Sequence, residues 1–195
     1  MLARRREGAL IGPNAILQTV TVMEARMGAA ETRAVLAEAR IGALPSGRHM
    51  IPEIHALRLH RWLSLHDPLG SFLIAEEAGA ATADYIIANR IPRAAAWLLH
   101  HLPAMLAAPL LMAAIRKHAW TFIGAGAFAA QGPWRFTIDR AGADDPVPPP
   151  DSLFHWYAAV FTRLYQRLVA SDCRCLVQMT ARPEAPLRHY RIERG

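Results

Sequence analysis

The chain has 195 residues and a mass of 21.5 kDa, which predicts one domain, with two small ones as the upper limit. Hydrophobic residues make up 53% of it and charged residues 19%, so the composition excludes a disordered protein. Its 2 cysteines are too few for a disulfide framework and indicate a reducing compartment, hence a cytoplasmic protein. The first residues lack the apolar run of a signal peptide.

The formal net charge of +6 comes from arginines spread along the chain, with Lys117 as the sole lysine. Aromatic residues do not alternate with these arginines in the pattern that stacks on single-stranded nucleic acid, so nucleic-acid binding is not expected. The positive charge instead favours an acidic ligand or an anionic membrane surface.

Four helices are predicted in the first half of the chain. They cover Pro13 to Met27, Ala29 to Arg40, Pro52 to Leu65, and Pro68 to about Arg90. Pro13 and Pro68 suit the first turn of a helix, and Asp67 has the side chain of an N-cap. Residues 1–12 are expected to form a tail before a single domain over residues 13–195.

An uncharged stretch from Ala94 to Ile115 is a candidate membrane span. Pro103 and Pro109 interrupt it, as do His100 and His101, and alanine is only weakly apolar. Two proline-bounded helices, buried or at an interface, are therefore the favoured prediction, with a span as the alternative.

From Trp120 onward the pattern indicates short strands. Thr121 to Ile123 with the small residues up to Ala130 predict one strand and Trp134 to Ile138 a second, joined by a turn at Gln131 to Pro133. A proline-rich loop over residues 141–150 precedes a last helix that begins at Asp151 or Ser152. Cys175 to Thr180 and His189 to Ile192 predict two more strands, separated by a turn at Pro183 to Pro186. Helices followed by an antiparallel sheet indicate an α+β fold.

Three groups of residues resemble cofactor or metal motifs. Gly124 and Gly126 belong to a G-x-G-x-x-A string, but Gly132-Pro133 leaves no room for the helix that a dinucleotide site needs. Small residues that let a ligand or another backbone approach closely are the favoured interpretation. Cys173 and Cys175 provide too few thiolates for a zinc site, so two strand cysteines are expected.

Nine histidines are the remaining candidates for chemistry. His55, Trp62 and His66 share one helical face, and His118 stands just before Trp120. Each is more often a core or surface histidine than a ligand. Glu76 lies on or beside an apolar stripe, and its placement at the edge of that stripe is the favoured prediction.

Five groups of residues, spread from about Gly8 to Ile192, are similar to one known family. They are Gly12-Pro-Asn-Ala-Ile-Leu-Gln18, Thr82-Ala-Asp-Tyr85 with Asn89-Arg-Ile-Pro92, Leu98-Leu99 with Leu102-Pro103, Ala114-Ile-Arg-Lys-His-Ala-Trp-Thr-Phe122 with Gly124-Ala-Gly126, and Trp156 to Val169. These strings resemble the photosynthetic J proteins of bacteriochlorophyll biosynthesis. That family has been called bacteriochlorophyll 4-vinyl reductase and gave its name to the vinyl-4-reductase domain.

The resemblance implies a fold similar to the Bet3-like domain of trafficking complexes, with helices on one face of a small antiparallel sheet, often as a dimer. Related domains carry a cysteine cluster near the C-terminus, where this chain has His189, so no metal site of its own is expected. No flavin, nicotinamide or iron–sulfur motif is visible, although a reduction needs a cofactor. Whether the protein is an enzyme stays open at this point.

Two functions follow from the resemblance. The favoured one is a tetrapyrrole-binding accessory or carrier protein that holds or delivers a magnesium porphyrin intermediate and has no intrinsic cofactor. It would be a homodimer, peripheral at the photosynthetic membrane, with the magnesium chelatase large subunit and the porphyrin methyltransferase as partners. The alternative is a 4-vinyl reductase that acts on a divinyl chlorophyllide or protochlorophyllide.

The ligand-binding residues expected for a magnesium porphyrin combine apolar walls, arginines and an axial ligand. They are His118, Trp120, Phe122, Arg90, Arg93, His100, His101, Trp97, Gly124 and Gly126. Arg90 and Arg93 would hold the propionates, with solvated helix-end arginines as the alternative. His118 would be the axial ligand, beside Trp120 on one side of an extended chain. The alternative for His118 is a surface residue at a helix C-terminus.

Overall fold

Eight helices and six strands form the part of the chain that the structure describes, residues 8–141, 147–178 and 185–195 of a computed structural model. The helices are α1 (Asn14–Met27), α2 (Ala29–Glu38), α3 (Ile54–His66), α4 (Pro68–Asn89), α5 (Arg93–His101), α6 (Ala104–His118), α7 (Trp120–Ile123) and α8 (Asp151–Leu168). The strands are β1 (Leu10–Ile11), β2 (Ile51–Pro52), β3 (Ala127–Ala130), β4 (Arg135–Asp139), β5 (Cys173–Val177) and β6 (Leu187–Arg194). The expected α+β class is confirmed.

The helices predicted in the first 118 residues form close to the expected bounds. α4 begins at Pro68, and the Asp67 carboxylate accepts a hydrogen bond of 2.9 Å from the Gly70 amide. Pro92 and Pro103 each stand immediately before a helix, so the uncharged stretch folds as the two proline-bounded helices α5 and α6. No helix among the described residues combines the length and apolar character that crossing a bilayer requires.

The strand predicted over Thr121 to Ile123 is wrong, because these residues form the short helix α7. Groups from distant parts of the chain bind its carbonyl oxygens: the Gly12 amide donates to Thr121 at 2.7 Å, and the Tyr157 hydroxyl donates to Phe122 at 3.0 Å. These tertiary bonds satisfy the carbonyls that the end of a helix leaves unpaired. The strand forms instead from the small residues of β3.

Two antiparallel sheets lie in the fold. β1 pairs with β2, so residues 8–12 contain a strand where a tail was expected. The larger sheet has the order β3-β4-β6-β5, and the turn predicted at Gln131 to Pro133 joins β3 to β4. Alternate residues of β6 are buried, so one face of this sheet is packed and the other meets solvent. Residues 142–146 of the proline-rich loop lie outside the described residues, as do residues 179–184, which include the end of the strand predicted to Thr180 and the start of the turn predicted from Pro183.

Helix α8 lies between the larger sheet and α4. On the sheet side, the Phe161 ring stacks on Phe136 at 4.0 Å between centroids, and Phe136 stacks on Tyr190 at 4.6 Å. On the opposite side, α4 approaches so closely that a Cβ added to Gly79 would lie 2.6 Å from the Cβ of Ala159. The glycine therefore sets the spacing of the two helices, and the core lies on both sides of α8.

Candidate functional site

The outer face of α5 brings together three of the residues expected to bind a ligand. Arg93, Trp97 and His101 follow one another at intervals of four, which places them on one side of the helix, and all three are exposed. The Trp97 and His101 rings stack with 4.4 Å between centroids and 29° between planes. A cation, a flat aromatic surface and an imidazole thus lie in line. We call these three residues the α5 triad.

The imidazole of the α5 triad has a defined orientation. Nδ1 of His101 lies 2.8 Å from the carbonyl oxygen of Trp97, and a carbonyl can only accept, so Nδ1 carries the proton and donates. In the neutral ring, Nε2 then has a lone pair available for a metal. His100 is exposed beside it, with Nδ1 3.3 Å from the Arg167 carbonyl oxygen.

The surroundings of the α5 triad are basic. Arg90 ends α4, and its guanidinium lies 6.0 Å from the centre of the Tyr85 ring. Asp84, on the last turns of α4, forms an ion pair of 2.9 Å with Arg163 of α8. Arg90 and Arg93 are both exposed on either side of Pro92, which fits either a contact with propionates or solvation at helix ends.

His118 and Trp120 lie at the other end of α6. From Ala104 to His118 the helix rises by about 20 Å, which separates these two residues from the α5 triad. Nδ1 of His118 lies 2.9 Å from the Ala114 carbonyl oxygen, as in a histidine that completes a helix C-terminus. Both residues are exposed, but the extended chain expected between them is wrong, since Trp120 begins α7.

Phe122 belongs to the interior. Its ring centre lies 5.8 Å from that of Phe128, 6.1 Å from Tyr157 and 6.4 Å from Phe161. This aromatic cluster joins α7, β3 and α8. Phe122 therefore stabilises the core, on the inside of the short helix whose outer side carries Trp120.

Gly124 and Gly126 lie beside a buried ion pair. Arg140 Nη2 lies 2.8 Å from Glu53 Oε2, with 2% and 5% of the two side chains exposed. The same carboxylate oxygen accepts a hydrogen bond of 3.2 Å from the Ala125 amide. A Cβ on Gly124 would collide with the Glu53 carboxylate, and one on Gly126 with the Asp139 carbonyl. The expected close approach of another backbone is confirmed at Gly126, whereas a side chain approaches Gly124. The dinucleotide motif is excluded because β3 follows it in place of a helix.

The Glu53–Arg140 pair was not found from the sequence. Glu53 stands between β2 and α3 in a segment that resembles an ordinary helix start, and nothing local indicates that its partner is 87 residues away. Beside it lies a cavity of about 30 Å³, lined by Gly8, Ala9, Pro52, Glu53, Ile54 and Leu57. Pockets for small molecules have about 300 Å³ or more, so this cavity has room only for water.

The two cysteines are inert strand residues. Both are buried, and burial raises the pKa of the Cys173 and Cys175 thiols, so neither is a thiolate near neutral pH. His189 points to the solvent face of β6. Within residues 8–141, 147–178 and 185–195, no three His, Cys, Asp or Glu side chains are grouped to hold a metal ion.

A second stacked pair of tryptophan and histidine ends α3. The Trp62 and His66 rings are 4.1 Å apart, and Nδ1 of His66 lies 2.9 Å from the Trp62 carbonyl oxygen. Arg58 precedes this pair at the same spacing as Arg93 precedes Trp97, but Arg58 and Trp62 are only partly exposed. Trp62 also donates to the Glu38 carboxylate at 2.9 Å, and Asp67 is next in sequence after His66. Glu76 is exposed, as predicted.

Two relatives of known name resemble the chain over most of its length. The bacteriochlorophyll synthase 23 kDa chain of Cereibacter sphaeroides is 45% identical over 165 residues, which cover 82% of this chain and 78% of the relative. The protein of the same name from Rhodobacter capsulatus is 41% identical over 161 residues, covering 82% and 75%. No protein-family model matches the chain.

Solved structures of similar fold are H-NOX domains. The Fe(II) unliganded H-NOX protein from K. algicida has a TM-score of 0.61 at 10% identity, covering 95% of this chain and 97% of that one. A structure from work on heme distortion in the H-NOX family has a TM-score of 0.57 at 6% identity, covering 94% and 95%. The α+β arrangement is shared, but the more specific expectation of a Bet3-like fold is not supported by these neighbours.

Proposed function

The chain belongs to the family of the bacteriochlorophyll synthase 23 kDa chain, and on that premise we propose that it is a tetrapyrrole-binding accessory protein of bacteriochlorophyll biosynthesis. It would hold or deliver a magnesium porphyrin intermediate as cargo. The α5 triad is the observation that carries this proposal. Its three groups correspond to the three parts of such a ligand: carboxylates, a flat apolar ring and a metal that accepts an axial ligand.

Each residue of the α5 triad has one role in the proposal. The Arg93 guanidinium forms charge-assisted hydrogen bonds to a propionate. The Trp97 ring lies within 29° of the imidazole plane, so it offers its edge to a macrocycle whose metal is approached by Nε2. Nε2 of His101 approaches the magnesium, while its Nδ1 bond to the Trp97 carbonyl holds the ring in place.

The exposed position of the α5 triad favours a carrier over an enzyme. A ligand bound on an open helix face can pass to a partner without a lid or a buried passage. The fold gives independent support, because solved structures with similar architecture include heme proteins of the H-NOX family. We also propose a peripheral localisation at the photosynthetic membrane, since the net charge of +6 attracts anionic surfaces.

Titration with magnesium protoporphyrin and with metal-free protoporphyrin tests the function. We expect a saturable shift of the Soret band for the wild type. His101→Ala should weaken binding of the magnesium form about tenfold and leave the metal-free form almost unchanged. Arg93→Gln should weaken a free-acid porphyrin more than its dimethyl ester.

Two matched controls make this test specific. His66→Ala removes the imidazole of the other stacked pair, whose tryptophan is only partly exposed and donates to Glu38, and should bind both pigments as the wild type does. His118→Ala tests the ligand expected from the sequence. Loss of magnesium selectivity in His118→Ala but not in His101→Ala would place the pigment site at the end of α6. Absence of saturable pigment binding by the wild type would refute the proposed tetrapyrrole-binding function.

The alternative, reduction of a 4-vinyl group, is tested with the same protein. Anaerobic incubation with a divinyl substrate and reduced pyridine nucleotide, followed by absorbance, should leave the pigment spectrum unchanged. A progressive spectral change that requires the protein would favour the reductase.

A further inference from the structure

Helix α6 has an apolar outer face that this fold does not use. Met105, Leu106 and Leu110 are 84%, 55% and 52% exposed, while Ala107, Ala108, Leu111 and Met112 pack inward. The helix is thus apolar on both sides. A surface helix of a globular protein normally directs polar residues outward. A contiguous exposed apolar patch therefore indicates a surface that binds another protein, a ligand or a membrane.

The charge around this face has one sign. From residue 85 to residue 138 the sequence contains no Asp or Glu. The same segment contains Arg90, Arg93, Arg116, Lys117 and Arg135. Arg116 and Lys117 are exposed in the last turn of α6, directly after the apolar stripe, and the exposed Trp120 follows them.

We propose that the outer face of α6 docks onto an anionic lipid bilayer. The helix lies in the interface with Met105, Leu106 and Leu110 among the upper acyl chains, and Arg116 and Lys117 contact lipid phosphates. Trp120 lies at the level of the headgroups. This inference rests on the peripheral localisation proposed above, but it does not need the α5 triad to bind pigment.

The charge around each exposed apolar face indicates whether an anionic bilayer can bind there. The start of α4 also exposes leucines, with Leu69 at 82% and Leu73 at 50%, but Asp67 and Glu76 are exposed around them. An anionic surface repels that region and attracts α6. The two faces therefore share apolar character and differ in charge, so one serves as the control for the other.

Co-sedimentation with vesicles tests the proposal. We expect the wild type to bind phosphatidylcholine vesicles that contain phosphatidylglycerol, and to bind pure phosphatidylcholine weakly. Leu106→Gln with Leu110→Gln should lower the partition coefficient about tenfold. Arg116→Gln with Lys117→Gln should lower the partition coefficient about fivefold for each charge removed. Added salt should abolish this difference from the wild type, because it screens the charges. The matched control, Leu69→Gln with Leu73→Gln, has the same spacing of two leucines and should bind as the wild type does.

Three outcomes overturn the proposal. The first is an equal loss of vesicle binding in both double-leucine variants, and the second is no loss in the α6 double variant. The third is that no vesicle binds and that light scattering shows a dimer, which only the α6 double variant converts to a monomer. The last result would assign the face to a second copy of the chain. Pigment titration of the α6 leucine pair separates this inference from the proposed function, because that variant should still shift the Soret band.

Discussion

Helices α8 and α6 are both rich in apolar residues, yet they occupy opposite situations in the molecule. α8 is enclosed, with the sheet on one side and α4 on the other, and its exposed-side Arg163 forms an ion pair with Asp84. α6 packs one side inward and presents Met105, Leu106 and Leu110 to solvent. Apolar composition alone therefore does not tell whether a helix builds the core. Substitutions around α8 should cost stability, whereas substitutions on the outer face of α6 should not.

The largest loss is expected for the buried ion pair beside α8. Glu53→Ala leaves the Arg140 guanidinium buried without its carboxylate, which should cost about 3–5 kcal/mol of unfolding free energy. Urea denaturation measures it. The control is Glu77→Ala, which breaks the exposed pair with Arg26 and should cost about 1 kcal/mol or less. Similar losses in the two variants would contradict the burial of Glu53.

Acid should weaken the contact between α3 and α8. His60 is buried, with Nδ1 3.2 Å from the Ser152 hydroxyl, and burial lowers its pKa to about 4. The unfolded chain takes up this proton near its ordinary pKa of about 6.5, so stability is complete above that pH and falls as the pH drops towards 4. The loss is about 3 kcal/mol at 1.36 kcal/mol per pKa unit.

His60→Gln should remove this part of the pH dependence. Unfolding free energies at pH 7 and pH 4 should therefore differ by about 3 kcal/mol less in the variant than in the wild type. His66→Gln, at an exposed position on the same helix, should keep the wild-type profile. An unchanged profile in His60→Gln would assign the acid sensitivity to other groups.

A smaller loss is expected where α4 meets α8. The added Cβ of Gly79→Ala would lie 2.6 Å from both the Ala159 Cβ and the Trp156 carbonyl oxygen. Overpacking of about 1–3 kcal/mol should exceed the gain in helix propensity of about 1 kcal/mol, so thermal unfolding should begin at lower temperature. Gly42→Ala, where nothing lies within 4 Å of the new atom, should be neutral or slightly stabilising.

The smallest effect belongs to α6. Leu106→Gln with Leu110→Gln should change the unfolding free energy by about 0.5 kcal/mol or less, because both side chains already face solvent. The same urea titration checks it. A loss comparable with that of Gly79→Ala would show that these leucines pack against the protein.

Local signals in the sequence were enough to predict most helices. The Asp67-Pro68 start of α4 and the prolines before α5 and α6 act through backbone geometry, so their effect does not depend on the rest of the fold. Thr121 to Ile123 was misassigned because β-prone residues were judged alone. Their helical turn depends on partners from Gly12 and Tyr157, far away in the sequence.

The candidate site was predictable only in part. The sequence named Arg93, Trp97 and His101, because unusual residue types in an apolar segment stand out. The sequence did not show that these three residues lie away from His118, since their separation depends on the length of α6. Charge sign along the segment was visible in the sequence, but which leucines of α6 face outward was not.

The position of α8 in the chain determines when the fold can close during synthesis. This helix contacts α3, α4, α5 and the sheet, yet it begins only at Asp151. In the described part of the chain, seven helices and four strands are therefore synthesised before the element that joins the layers exists. Until Leu168 has emerged, the sides of α4 and β4 that face α8 have no permanent partner, and these apolar surfaces are exposed to aggregation.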